Sequence, residues 1–276
     1  MSKRRLLAFH LVAIVCSVGL ILPLYWAFVA SLGVTGAPPP PSVTWYPPDP
    51  QWQNYATVFE IVPMGQYLRN SLIVVALAVP LTLLVASVAG FSMVQLPPGQ
   101  QKRLLTLTVV WLIIPSTAVW IFRFQLLKWL GLIDSLGALV IPAFAASNPM
   151  FVLLYYWSFQ RIPAELFEVA QIDGGSAWLI WRRIGLPLVK PTTIAVTVLT
   201  FVLYWSDFVS PILYLTDMKK YTAPVGLQTL LQMDRVNWPI LMAAVTIIAL
   251  PVLFLFLLLQ RFFLHDLALA RLFDKN

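Results

Sequence analysis

Long apolar runs separated by short polar connections dominate this chain. A bilayer core of about 30 Å is crossed by about 20 mostly apolar residues as helix. Six runs reach that length: residues 6–32, 71–94, 104–127, 136–159, 192–215 and 239–262. Prolines inside them (Pro80, Pro115, Pro142, Pro149, Pro211 and Pro251) do not exclude membrane helices, because neighbouring helices satisfy the freed carbonyls. Asn148-Pro149 interrupts the fourth run most visibly. The first run follows Lys3-Arg4-Arg5 and is far longer than a signal-peptide core of about 7–15 residues, so it reads as an uncleaved span. Pro38–Pro41, Pro47, Pro48 and Pro50 mark a stiff extended segment after it.

Composition agrees with this pattern. Hydrophobic residues make up 60% of the 276 and charged residues 11%, well under the roughly 25% of soluble domains. The net charge of +7 bears on topology more than on ligands. Basic residues lie in small groups between apolar runs and form no nucleic-acid face. Cys16, inside an apolar run, rules out a disulfide framework.

With six spans, both termini share one side with residues 95–103 and 160–191. Twelve of the 18 lysines and arginines fall there; the six others are Arg69, Arg123, Lys128, Lys219, Lys220 and Arg235. This excess predicts a cytoplasmic location for both termini and the 160–191 loop. The expected layout is a cytoplasmic N-terminus (1–5), a six-span domain (6–262) with an outer loop at 216–238, and a cytoplasmic tail (263–276).

The 160–191 loop is a charged island, RIPAELFEVAQIDGGSAWLIWRRIGLPLVKP from Arg161. Pro163 and Glu165 suit a helix start, and Gly174 suits a left-handed stop. Ser176 is positioned to cap a second helix through residue 183 or 184, ended by Gly185 and Pro187. Helical spacing groups Glu165, Glu168 and Ile172 on one face, with Leu166, Val169 and Ala170 on the other side. At about 15 Å the first helix is half a membrane crossing, so it packs on the membrane surface or inserts into a partner.

Glu168-Val169-Ala170, Asp173-Gly174, Ile184, Pro187 and Pro191 together resemble the "EAA" loop of binding-protein-dependent ABC importer permeases. The order Pro163, Glu165-Leu166, Glu168 is similar to the carbohydrate-uptake branch, which includes the maltose transport permease family. Further matches are Asn70-Ser71, Asp134-Ser135, Ile141-Pro142, Trp205-Ser206-Asp207-Phe208, Pro224-Val225-Gly226-Leu227, Ala243-Ala244, Pro251 and Gln260-Arg261. Val169 and Gly175 stand where the family usually has alanine, and the C-terminal tail lacks the usual short Gly- and Lys-containing ending.

The resemblance implies an all-α membrane protein, a type I ABC importer permease with six transmembrane helices and a coupling-helix loop. It assigns ATPase coupling to Glu165, Glu168, Ala170, Asp173, Gly174 and Pro187. It implies a prokaryotic cytoplasmic membrane, a second six-span permease, two cytoplasmic ABC ATPase subunits and an extracytoplasmic solute-binding protein. It implies that ATP and Mg are used by the ATPase and that this chain is expected to bind no cofactor or metal and to carry no catalytic residue. The solute expected is a sugar or oligosaccharide, with a polyol or glycerol-3-phosphate as the alternative in the same branch. In that branch two related but distinct permeases usually pair, so a heterodimer is expected, with a homodimer as the alternative.

Asp207 lies inside an apolar run, where an unpaired charge costs roughly 2.5–3.5 kcal/mol on insertion scales. It is expected to face a wet path with Trp205 or to fix packing by a hydrogen bond. Arg123 either snorkels to the outer interface or meets solute. Lys219, Lys220, Asp234 and Arg235 in the outer loop are the expected binding-protein contacts.

Two other classes fit less well. Phospholipid-synthesising transferases share Asp173-Gly174 and Ala177, but Trp178 replaces their arginine and no second aspartate follows before Asp207. The chain has no Gly-x-x-x-x-Gly-Lys loop, and its histidines, His10 and His265, lie far apart in sequence. A secondary transporter accounts poorly for one charged loop among six spans.

Overall fold

A computed structural model describes residues 3–145, 148–233 and 237–273. Among them there are helices and no strands. Helices α1 (Lys3–Ser31), α2 (Gln53–Ile61), α3 (Met64–Val94), α4 (Pro98–Ile113), α5 (Trp120–Trp129), α6 (Gly137–Phe144) and α7 (Pro149–Gln160) form the first part. They are followed by α8 (Ala164–Ile172), α9 (Ala177–Leu188), α10 (Lys190–Trp205), α11 (Val209–Tyr214), α12 (Ala223–Met233) and α13 (Trp238–Phe273). Four helical stretches are long and apolar enough to cross a membrane: Phe9–Ser31, Met64–Val94, Gly137–Gln160 and Trp238–Gln260. The number is six if two bent helix pairs each count as one span.

Two of the six expected runs are interrupted along their length. The third run breaks between α4 and α5, whose axes turn by 87°. Ile114 precedes Pro115, and the proline ring excludes the helical region for that residue, which is extended at ψ 117°. The fifth run also breaks, because α10 stops at Trp205 and the chain restarts as α11. Asp207 therefore sits in the gap between two helices, not within one. Pro23, Pro80 and Pro251 lie inside α1, α3 and α13 without ending them. The last helix runs on to Phe273, past the expected boundary at 262.

The chain divides into two compact units, Met1–Leu68 with Ala223–Pro251 and Arg69–Thr222 with Val252–Asn276. In the first unit, buried Asn54 closes the end of α1. Its Nδ2 donates to the carbonyls of Ser31 and Gly33, both at 2.8 Å, and its Oδ1 accepts from Thr35 at 2.7 Å. A helix end leaves carbonyls without intrahelical partners, and one side chain supplies two. Gly226 of α12 meets the ring of Tyr67 so closely that a Cβ there would lie 2.3 Å from Tyr67 Cδ2.

In the second unit a core of Ala86, Phe91, Phe151, Tyr155, Phe159 and Val196 joins α3, α7 and α10. Gly90 permits the close crossing, since a Cβ on it would stand 2.7 Å from Tyr155 Cβ. Such small-residue crossings suit membrane helices, whose association rests on close packing more than on exclusion of water.

Candidate functional site

The 161–191 loop forms two helices separated by a tight turn. Pro163, extended at ψ 130°, precedes α8, and Glu165 lies in the first turn, where the helix dipole favours a carboxylate. The exit is a Schellman motif: the N–H of Gly174 donates to Gln171 O at 3.0 Å and that of Gly175 to Ala170 O at 2.9 Å. Gly174 has φ +81°, a conformation glycine adopts without Cβ strain. Ser176 then caps α9, its Oγ accepting from Leu179 N at 3.4 Å.

Helix α8 is fastened chiefly by one residue. Phe167 is 3% exposed and packs edge-on against Phe91 of α3. Ala170, one turn along, is half-buried against the same core. The opposite face carries Glu165, Glu168, Val169 and Ile172, all exposed, with Ile172 at 84%. The face is thus drawn differently from the sequence expectation, since Val169 joins the glutamates and Ala170 turns inward.

Helix α9 is rooted in the same core by Ile180 and Trp181, with Trp178 exposed beside Trp181 at a ring separation of 4.5 Å. It does not end at Gly185 as expected. Trp181–Gly185 is a π-helical turn in which Leu186 N–H reaches back to Trp181 O. Pro187 follows where the ladder is already interrupted, so its missing N–H does not end the helix. Gly185 lies against Phe159, where a Cβ would come within 3.1 Å of the ring. The chain then turns by 84° into α10.

A cleft of about 780 Å³ opens elsewhere in the same unit, lined by Trp120, Arg123, Asn148, Ser206, Asp207 and Ser210 among others. Arg123 and Asn148 also line an adjoining cavity of about 800 Å³. Asp207 Oδ1 accepts the Ser210 N–H at 3.1 Å and so caps the start of α11. Among the described residues Arg123 makes no ion pair. The cleft offers aromatic surface, amide and hydroxyl groups, one cation and one carboxylate.

At the 130–136 turn, Asp134 adopts φ +59°. Its Oδ1 accepts the N–H groups of Thr216 and Asp217, both at 2.9 Å, while its own N–H donates to Tyr214 O at 2.8 Å. Lys220 Nζ donates to Asp134 Oδ2 at 2.6 Å and to its carbonyl at 2.7 Å. These bonds, the Asp217 N–H foremost and then Lys220, hold the Asp134 carboxyl well below the usual carboxylate range. The same hydrogen bond to Asp134 raises the Lys220 ammonium above its ordinary value.

Residues 78–268, more than half of the chain, match the family described as the binding-protein-dependent transport system inner membrane component. The chain belongs to this family. It is a transport subunit and not an enzyme. The permease is similar to the sulfoquinovosyl glycerol transport system permease protein SmoH of Agrobacterium fabrum, 27% identical, covering 87% of this chain and 84% of that one. It is similar also to the sn-glycerol-3-phosphate transport system permease protein UgpE of Yersinia enterocolitica, 29% identical over 94% of both. Its fold is that of a chain in the crystal structure of a bacterial ABC transporter involved in the import of the acidic polysaccharide alginate. That match has TM-score 0.77, 18% identity and coverage of 95% and 98%.

In the permease, the residues expected to couple divide by exposure. Glu165, Glu168, Asp173, Gly174 and Pro187 are exposed, whereas Ala170 is half-buried. Arg123 and Asp207 share the cleft; Trp205, 2% exposed and stacked on Phe201, does not line it. Lys219 is exposed, while Lys220 is tied to Asp134. Asp234 and Arg235 lie outside the described residues. Phe167 as an anchor and Asp134 as a hub are not legible in the sequence, where Asp134 stands out only as part of a family pattern.

Proposed function

We propose that this permease forms half the translocation pore of an ATP-driven importer, with α8 and α9 as its dock for a cytoplasmic ATPase. The exposed face of Glu165, Glu168, Val169 and Ile172, opposite a fully buried Phe167, carries this reading. An apolar residue left 84% exposed beside two carboxylates suits a partner cleft with basic walls. Both termini and the 160–191 loop lie in the cytoplasm, and a second permease completes the pore over two ATPase subunits, which use the ATP and Mg.

ATPase closure draws α8 inward. Because Phe167 and Trp181 are rooted in the core shared by α3, α7 and α10, the pull reaches the helices beside the cleft. Glu168 pairs with basic groups of the ATPase, and the Asp173-Gly174 turn holds the two helices in their relative orientation.

The solute is a carbohydrate or a glycerol derivative, as the names of the relatives suggest. Trp120, Tyr204 and Phe208 of the cleft suit the apolar faces of a sugar ring, and Asp207, Asn148, Ser206 and Ser210 suit its hydroxyls. Arg123 suits an anionic substituent. The 216–238 segment meets the solute-binding protein through Lys219, Asp234 and Arg235.

Gentle detergent extraction of the tagged chain with its partners tests the assembly. A P-loop ATPase and a second six-span protein are expected by mass spectrometry; recovery of the chain alone in several detergents would reject the reading. Glu168→Lys is expected to abolish uptake while the chain remains in the membrane, and normal uptake would remove the coupling role.

A further inference from the structure

Residues 214–221 are held from two sides by groups distant in sequence. Asp134 engages the carbonyl of Tyr214, the N–H groups of Thr216 and Asp217 and the side chain of Lys220. Asn70 of α3, 7% exposed, donates through Nδ2 to the carbonyls of Lys219 and Tyr221, both at 2.9 Å. Asp217 adds to the order, capping the Met218–Lys220 turn by accepting the Lys219 N–H at 2.9 Å. Backbone groups of the segment are thus bonded to its surroundings at five of its residues, while Met218 at the apex is 65% exposed and Lys219 is exposed.

So much fixed backbone beneath so exposed an apex needs a purpose. A simple connector between α11 and α12 requires neither a left-handed aspartate nor a lysine drawn back onto it. We propose that Asp134 and Asn70 are positioning residues that hold Met218 and Lys219 as a rigid contact for the solute-binding protein, with Lys220 serving as the pin. The inference rests on the reading that the 216–238 segment meets that protein. It assigns Lys220 to the inside of the turn and leaves the contact to an apolar tip and one cation, which fit an apolar patch edged by carboxylates.

The chemistry orders the variants. Asn at position 134 tolerates the left-handed backbone and keeps an oxygen for the Thr216 and Asp217 N–H groups. Ala keeps neither advantage. Lys220→Met removes the pin but leaves those two bonds.

The test uses the whole importer, reconstituted in lipid with its copurified permease, ATPase and solute-binding protein. ATPase activity is followed against binding-protein concentration. Asp134→Ala is expected to raise the half-saturating concentration about tenfold, the cost of losing oriented contacts, with the maximal rate within about twofold. Asp134→Asn is expected to stay within about threefold, and Lys220→Met to fall between. An unchanged half-saturation in Asp134→Ala would overturn the proposal, as would equal effects of Ala and Asn.

If Asp134→Ala does not assemble, Met218→Cys in an otherwise unaltered complex decides the matter by thiol-labelling rate. Protection by added binding protein supports the contact, and equal labelling with and without it overturns it. Failure of the unaltered complex to respond to any binding protein would count instead against the function proposed above.

Discussion

Phe167 stands edge-on to Phe91, ring centroids 5.5 Å apart and planes at 87°. This is a favourable aromatic geometry, and it joins a nine-residue helix to α3 near the end of that helix. Phe91 in turn meets Phe159 at 5.4 Å, so the helix is connected through two rings to α7. A surface helix held mainly through one ring, with its opposite face exposed, is suited to move as a lever with that core. Its outward face is then free to follow a partner.

Truncating that anchor should therefore uncouple before it unfolds. Phe167→Ala removes a buried ring at a cost of about 3–5 kcal/mol where a core cannot collapse to fill the space. The expected outcome is faster hydrogen exchange and proteolysis within residues 161–176, with spans unchanged and ATP hydrolysis no longer matched to uptake. Native exchange in that segment would show that Trp181 and the Schellman turn suffice to hold α8.

Gly90 makes a separate prediction about the same core. A Cβ at this position would lie 2.7 Å from Tyr155 Cβ and 2.8 Å from the Tyr156 backbone nitrogen. Neither is the free end of a flexible side chain, so α3 and α7 must separate. Gly90→Ala should destabilise the second unit by about 1–3 kcal/mol, as overpacking does, seen as a lower thermal midpoint in detergent. Gly99→Ala, with open space around it, is the matched control and should leave the midpoint unchanged.

The two helices of the 160–191 loop were legible in the sequence because their signals are local. Gly174 stops a helix and Ser176 starts one by chemistry that acts within four residues. Prolines were less readable: Pro23, Pro80 and Pro251 pass inside helices, whereas Pro115 ends one. What separates them is whether neighbouring groups satisfy the interrupted ladder, a tertiary matter. Phe167 looked like any apolar helix residue until Phe91 was beside it. The Asp134–Lys220 pair spans 86 residues, and one sequence contains nothing that brings those two positions together. Arg123 and Asp207 were singled out as costly charges in apolar runs, and the same cost explains why both face one cleft.

The Asp134–Lys220 clasp should be indifferent to pH across the physiological range. The aspartate is held below its ordinary value, so its contribution is complete above about pH 4 and is lost only as pH falls further. The lysine is raised, so its contribution is complete below about pH 10 and is lost as pH rises beyond that. Exchange protection of the Thr216 and Asp217 amides, corrected for intrinsic rates, should stay flat from about pH 5 to 9. Protection that collapses near neutrality would mean that another titrating group controls the turn.

Asp207 makes a helix cap and also lines the cleft, and two substitutions separate the consequences. Its Oδ1 caps α11 through the Ser210 N–H, and its charge faces the cleft with Arg123. Asp207→Asn keeps an acceptor for the cap and removes the charge. Asp207→Ala removes both, with a capping loss of about 0.5–2 kcal/mol. If the charge meets solute, Asn should slow uptake while the amount of assembled complex stays normal, and Ala should slow uptake similarly but also reduce assembly. Solute hydroxyls donating to a carboxylate make hydrogen bonds worth about 1.5–3 kcal/mol, so the uptake defect in Asn should exceed about tenfold at limiting solute. Normal uptake in Asn together with poor assembly in Ala would leave Asp207 as a helix cap alone, its charge tolerated because the cleft is wet.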